Sequence, residues 1–231
     1  MEKIYPRLPE VQRPAAYLGG ELNAVVKPEA DLRMAVCYPD LYEVGMANSG
    51  IRILYDQANS LERVACERVF AVAPDMESLL REEDVPLYTL ETGRALCDLD
   101  LLAFNMAHEL LYTGMLQVLD LGRIPLRRGD RQEDAPLVLG GGAALSSPVP
   151  AFPFLDAIFL GDGEEGILEI ASLMLENREE ARGKRLELLG GLPGVLVPGL
   201  RDYRAEPVKR RVYRGGLPDP ERPVVPNLRI S

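Results

Sequence analysis

Apolar residues in this chain fall in short runs, one of them interrupted by Glu67-Arg68, and the stretches between them carry apolar positions at helical spacing. The runs are Arg33–Tyr38 (RMAVCY), Val64–Phe70 (VACERVF), Leu101–Phe104 (LLAF), Leu137–Leu139, Ala157–Leu160 and Gly194–Pro198 (GVLVP). Short apolar runs bounded by turn residues predict strands buried on both faces. Leu87–Leu90 (LYTL) is strand-like but flanked by charge, which places it near an edge. Between the first two runs, Val44, Ile51, Leu54, Tyr55 and Ala58 keep helical spacing. A short helix, Met76–Glu83, is entered at Asp75. Leu110, Leu111, Met115, Val118 and Leu119 form the apolar face of another helix, which stops at Gly122. A last one opens at Gly163 and runs to Glu176, followed by a charged segment, Asn177–Arg185, that reads as solvated. Strands alternating with helices predict an α/β fold, a mostly parallel sheet covered on both faces.

Prolines and glycines divide the rest. Residues 1–30 are proline-rich and polar and read as an arm over the domain, outside its core, with a turn at Gly19-Gly20. Residues 31–200 form the domain, with the boundary near Pro198–Asp202. Residues 201–231 read as a basic, proline-rich linker or docking tail, with one strand-like piece at Val208–Tyr213.

Composition changes this picture little. The chain has 231 residues, 47% hydrophobic and 27% charged, which is that of an ordinary globular protein. Its formal charge of −10 argues against a nucleic-acid binder. The tail holds eight Lys/Arg against four Asp/Glu, a small basic patch on an acidic protein. The amino terminus has no apolar signal region, and the longest weakly charged run, Ala135–Gly161, is broken by prolines and glycines. A cytoplasmic protein without a membrane span is the expectation. Cys37, Cys66 and Cys97 lie 29 and 31 residues apart, a spacing that suits neither a disulfide framework nor a metal site. They read as buried small hydrophobes.

Candidate chemistry gathers where strands end. Parallel strands followed by loops present their carboxyl ends to ligands. Asp40 and Glu43 follow the first strand, Asn105 and His108 the third run with a helix after it, and Gly140, Gly141 and Gly142 the run Leu137–Leu139. A triple glycine lets either a flat ligand or the protein's own backbone come close. Gly161-Asp162-Gly163-Glu164-Glu165-Gly166 fits G-x-G-x-x-G between a strand and a helix. Three carboxylates at that helix start would repel a pyrophosphate, so the turn reads as a helix cap or as the edge of a site for a neutral or cationic ligand. His108 is the one histidine, and no nucleophile elbow G-x-S-x-G is present.

Several segments together resemble the amino-terminal domain of B12-binding-domain-containing radical SAM proteins: RPAAYLGGELNAVV, YPDLYEVGMANSGIRILY, ERVFAVAPDMESLLRE, NMAHELLYTGMLQVLDLGRIPL, LVLGGGAALSSPVP and LGDGEE. The likeness spans about Arg13 to Pro198. It implies a Rossmann-like, flavodoxin-type domain whose strand ends face cobalamin. Carried onto this chain, the site residues would be Asp40, Tyr42, Glu43 and Gly45 of the first loop; Asn105 and His108; Gly140, Gly141 and Gly142; and Gly161, Asp162, Gly163 and Glu164. Tyr42 stands where histidine-ligating cobalamin proteins have their D-x-H-x-x-G histidine, so cobalamin would be held without imidazole from that loop. Asn105 stands where a serine is expected.

The resemblance also implies a radical SAM barrel with a [4Fe–4S] cluster and S-adenosylmethionine, but the chain has no C-x3-C-x2-C run to hold the cluster. The expectation is therefore a fragment, or a subunit working beside a separate radical SAM catalytic domain and inactive alone. Two roles follow: a module that seats cobalamin or a substrate, or a degenerate docking module that orients the partner. An RNA substrate of the full system stays open.

Overall fold

The computed structural model describes residues 3–200, 202, 205, 207–216 and 223–225. Six strands form one sheet: β1 (Leu32–Tyr38), β2 (Val64–Phe70), β3 (Leu101–Asn105), β4 (Leu137–Gly141), β5 (Ala157–Phe159) and β6 (Val195–Leu196). Their order is β2-β1-β3-β4-β5-β6. The first five are parallel, and β6 runs antiparallel to β5. The order 2-1-3-4-5 is the flavodoxin-like one, so the α/β expectation holds and the direction of winding reverses between β1 and β3.

Why these runs become central strands follows from burial: every residue of β2 and all but one of β1 are buried. Crossovers between parallel strands are right-handed, so connections leading in opposite directions along the sheet lie on opposite faces. The β1–β2 connection, α1 (Tyr42–Ala47) and α2 (Ser49–Ser60), shares a face with α5 (Gly163–Glu176), against which α2 packs. On the other face α3 (Pro74–Glu82) packs on α4 (Leu111–Leu121). Asn48 caps α2 by accepting from the Ile51 amide at 3.1 Å.

The structure corrects several expectations. The amino-terminal arm is part of the core: Ile4, Leu8, Val11, Ala16 and Tyr17 are buried within it. What makes this work is polar as much as apolar. Arg68 of β2 is fully buried, bonded to Glu21 of the arm at 2.9 Å and to Glu91 at 2.6 Å, and stacked over the Tyr55 ring. The charged segment after α5 is not wholly solvated, because it ends in a helix, α6 (Arg182–Leu189), with Arg182 and Arg185 buried. Arg182 and Arg131 both bond Asp156 at 2.7 Å, and Arg182 also satisfies the carbonyls of Ala135 and Pro136. A guanidinium has enough donors to be buried where carbonyls and a carboxylate converge.

Leu87–Leu90 forms no strand; Tyr88 makes an isolated bridge with Ala95, and the Leu90 amide bonds the Arg68 carbonyl beside the β2 edge. The expected strand Gly194–Pro198 shortens to the two residues of β6. Val208–Tyr213 forms a single bridge, between Arg211 and Gly161. Val44 and Leu110, counted on apolar helix faces, are exposed, Leu110 at 84% because α4 starts after it. Cys37 and Cys66 are buried and burial pushes both thiols up, whereas Cys97 is only half-buried. Most of the proline-rich linker expected over 201–231 lies outside the described residues. Among the described residues, no helix is long and apolar enough to cross a membrane.

Candidate functional site

Strands β1, β3, β4 and β5 run the same way, so their carboxyl ends share one rim. Along this rim, on the face covered by α2 and α5, is a cleft of about 160 Å³ that is open on one side. Its sheet wall is Ala103 and Asn105 of β3 with Leu139 and Gly141 of β4. Residues two apart on a strand share a face, which is why these alternate positions line it. The helix wall is Ile53 and Leu54 of α2 and Glu164, Ile167 and Ile170 of α5, the last three at helical spacing. Gly142, Phe159, Gly161 and Gly163 complete the end.

The three consecutive glycines do different jobs. Gly140 points to the opposite face, where a Cβ would meet Leu155 at 2.4 Å and Leu145 at 2.7 Å. Gly141 faces the cleft with only the Phe159 backbone and Cβ beyond 3.7 Å, at 3.8 and 3.9 Å. Gly142 has φ +109°, a conformation for glycine, and lies against the Met106 carbonyl. Of the three, Gly140 and Gly142 are explained by the protein's own packing and Gly141 by open space.

The acidic turn after β5 is held by the chain's own tail. Gly161, at φ +140°, lets the Arg211 carbonyl come within 2.1 Å of where a Cβ would stand. The Arg211 amide bonds the Leu160 carbonyl at 2.8 Å and its carbonyl accepts from the Asp162 amide at 3.1 Å. Its guanidinium pairs with Glu165 and Glu169. Asp162 accepts from the Tyr213 amide and pairs with Arg210. The Tyr213 amide, then Arg210, hold the Asp162 carboxyl below the usual range, and Arg211 does the same for Glu169. Glu164 differs: it lines the cleft, and its Oε2 is buried with no donor among the described residues.

The residues singled out from the sequence are thus divided. Asn105, Gly141, Gly142, Gly161, Gly163 and Glu164 come together at the cleft. Gly140 and Asp162 sit next to it but do not line it. The first loop turns away: Tyr42 is buried, donates to Glu21 at 3.0 Å and meets Phe70 edge-on at 5.6 Å. Glu43 pairs with Arg13 at 2.6 Å, and Gly45 packs under the Phe70 ring. The Asp40 carboxylate accepts from the Leu41 amide. His108 is exposed on the loop between β3 and α4, where its carbonyl accepts from the Leu111 amide. Leu110 of that loop and Leu41 of the first border the same depression on the rim.

Sequence reasoning missed the helix wall. The sequence pattern puts Leu54 on a core face and Ile167 and Ile170 inside an ordinary helix; only the i, i+3 spacing from Glu164 suggests that they continue the acidic turn into one surface. Among the described residues no group of three or more His, Cys, Asp or Glu is arranged to hold a metal ion.

No curated protein matches the chain significantly. No solved structure does either. A family model described as "Radical SAM proteins, N-terminal" matches residues 50–198, which takes in every strand from β2 to β6 and the whole of the cleft. This match covers more than half of the chain, and the protein belongs to the family of radical SAM protein amino-terminal domains.

Proposed function

We propose that this domain is an accessory module of a radical SAM system that seats a flat, largely uncharged cofactor at its strand ends, and that the cofactor is cobalamin. The observation that carries the reading is the cleft itself, an apolar slot whose sheet wall is flattened by Gly141 at the ends of three adjacent parallel strands. Ligands of open α/β sheets bind outside the carboxyl ends of strands.

The residues fit part of such a group inside and part outside. A dry cavity of about 150 Å³ takes a benzene-sized ring. The cleft, of similar size and open on one side, suits the aromatic base that hangs below a corrin, not the corrin. The macrocycle would rest on the rim, where Leu41 and Leu110 expose apolar surface. Tyr42 is turned into the core, so the first loop offers cobalt no side chain there. Asn105, Gly141, Gly142, Gly161 and Gly163 would line the base, and the bound cofactor would supply methyl or radical transfer chemistry to a catalytic domain. The [4Fe–4S] cluster and S-adenosylmethionine belong, in this reading, to that partner.

Incubation with hydroxocobalamin at micromolar concentration, desalting, and a visible spectrum tests it. A corrin spectrum retained at close to one equivalent is expected; an absence of retained corrin refutes the cofactor assignment. A second reading, a docking module that binds no cofactor and orients the catalytic partner through its basic tail, is favoured by the Arg211 clasp on the acidic turn. It predicts that deleting residues 201–231 abolishes association with that partner and that no corrin is ever retained.

A further inference from the structure

Beyond β5 the sheet edge is filled by a distant piece of the chain. β6 pairs with Ile158 and Phe159, and past them Arg211 takes the edge in parallel: its amide donates to the Leu160 carbonyl at 2.8 Å and its carbonyl accepts from the Asp162 amide at 3.1 Å. Two glycines clear the way. A Cβ at Gly161 would collide with the Arg211 carbonyl, and one at Gly194, φ +83°, would stand 3.1 Å from the Leu160 carbonyl and 3.2 Å from the Arg211 Cβ. Side chains then read the segment. The Arg211 guanidinium forks onto Glu169 and reaches Glu165 at 2.9 Å, while Asp162 accepts from the Tyr213 amide at 3.0 Å and pairs with Arg210 at 3.2 Å. Little apolar surface holds it, since Val212 is 63% exposed and Val208 only half-buried. Main-chain pairing for affinity with side-chain contacts for selectivity is how a domain takes an extended peptide at a sheet edge, whereas a core element is held by buried apolar side chains.

We infer that this edge is a docking site for an extended, arginine-bearing segment of another polypeptide, and that residues 209–213 occupy it in cis as a stand-in ligand. The inference is independent of what fills the cleft. Charge selects the occupant: a segment without a cation opposite Gly161 would leave Glu165 and Glu169 facing each other unpaired. The backbone sets its direction, parallel to β5, with an amide two residues past the arginine for Asp162 to accept from. Exchange follows from how the tail is held. Its ion pairs are partly exposed on the carboxylate side, and exposed pairs are worth little. The tail keeps the site mainly because it is tethered beside it, and a free segment of the same chemistry competes once its concentration approaches the effective concentration of the tether.

A fluorescein-labelled peptide of residues 207–216 (PVKRRVYRGG) is the probe, titrated by fluorescence anisotropy against the full chain and against its Arg211→Ala variant, whose own tail has lost the fork. Saturable one-to-one binding to Arg211→Ala is expected, and binding about tenfold weaker to the unaltered chain, where the tethered tail competes at roughly millimolar effective concentration. In the Arg211→Ala background, adding Glu165→Gln and Glu169→Gln together weakens the peptide about four- to twenty-fivefold, the worth of two exposed ion pairs at roughly two- to fivefold each. Adding Gly161→Ala instead abolishes binding, because the methyl group takes the place of the peptide carbonyl. Thermal unfolding without peptide shows each variant folded. Failure of the peptide to bind Arg211→Ala overturns the inference. So does equal binding of a scrambled peptide of the same composition, which would reduce the site to undirected charge attraction, or binding that survives Gly161→Ala.

Discussion

Two neighbouring glycines should respond in opposite ways to the same small substitution. At Gly140 a methyl group would press on Leu155 Cδ1 at 2.4 Å and Leu145 Cδ1 at 2.7 Å, two buried side chains that anchor the β4–β5 connection. Overpacking of this kind costs about 1–3 kcal/mol. For a chain of this size that lowers the melting temperature by about 2–12 °C. At Gly141 the nearest atoms to a new Cβ are at 3.8 and 3.9 Å, ordinary contact, and the backbone is not among the positive-φ positions. Gly141→Ala should therefore be neutral or stabilise by up to about 1 kcal/mol, since alanine narrows the unfolded ensemble. Gly141→Val, which extends further into the slot, should leave the protein folded and reduce binding of any ligand held there. Urea unfolding of the two alanine variants, each with an unchanged slope, measures the contrast. Equal destabilisation at both positions would show that Gly141 does not face open space, and the cleft would lose its flat wall.

Other expectations concern the clasp and the buried charges. Gly161→Ala, with the Arg211 carbonyl 2.1 Å from its Cβ, should detach the tail; tryptic cleavage at Lys209–Arg211 should speed up, and unchanged cleavage would mean the clasp is not held there. Asp162 and Glu169 have carboxyls depressed by the Tyr213 amide and by Arg211 respectively. The clasp they stabilise should thus be fully present above the ordinary carboxylate range and lost as pH falls through their lowered values. Amide exchange at Asp162 and Tyr213, followed down in pH, should show protection falling only in that acid window. Arg68→Met removes the one cation between Glu21 and Glu91 and should cost about 3–5 kcal/mol, because both carboxylates stay buried. A loss below 1 kcal/mol in urea unfolding would show that this network does not hold the arm.

Burial pushes the Glu91 carboxyl upward against the pull of Arg68. An acid raised in the folded state contributes stability at low pH that is lost as pH rises through its folded value. The network therefore opposes the clasp in its pH dependence, and the two can be separated by their windows.

The strands were legible because β1, β3 and β4 are buried on both faces and appear as apolar runs without alternation, and because β2, although it carries the buried Glu67 and Arg68, is apolar on either side of them. The rim was legible for the same reason: parallel strands put their following loops together. What each loop residue faces was not. Gly140 and Gly141 look alike in sequence, and only the register of β4 against β3 and β5 decides which of them meets Leu155 and which the cleft. Tyr42 reads as a loop residue until the partner far upstream, Glu21, draws its hydroxyl into the core. The arm misled because its prolines and charges signal exposure, while the buried Ile4, Leu8 and Val11, although at i, i+4, i+7 spacing, sit among Pro6, Pro9 and charged residues that mask the period. Arg182 and Arg185 read as solvated for a similar reason, since the carbonyls and carboxylate that receive Arg182 lie about 25 to 50 positions earlier in the chain.

The central claim is that the slot between β3, β4, α2 and α5 is where a planar group is seated. Backbone amide NMR spectra of the chain titrated with hydroxocobalamin, beside the Gly141→Val variant, test it most directly. The account predicts saturable shifts confined to Asn105, Gly141, Gly142, Gly161, Gly163, Glu164 and the rim loops near Leu41 and Leu110, and their loss in the variant. Shifts centred elsewhere, or shifts at the slot that Gly141→Val leaves intact, would contradict it.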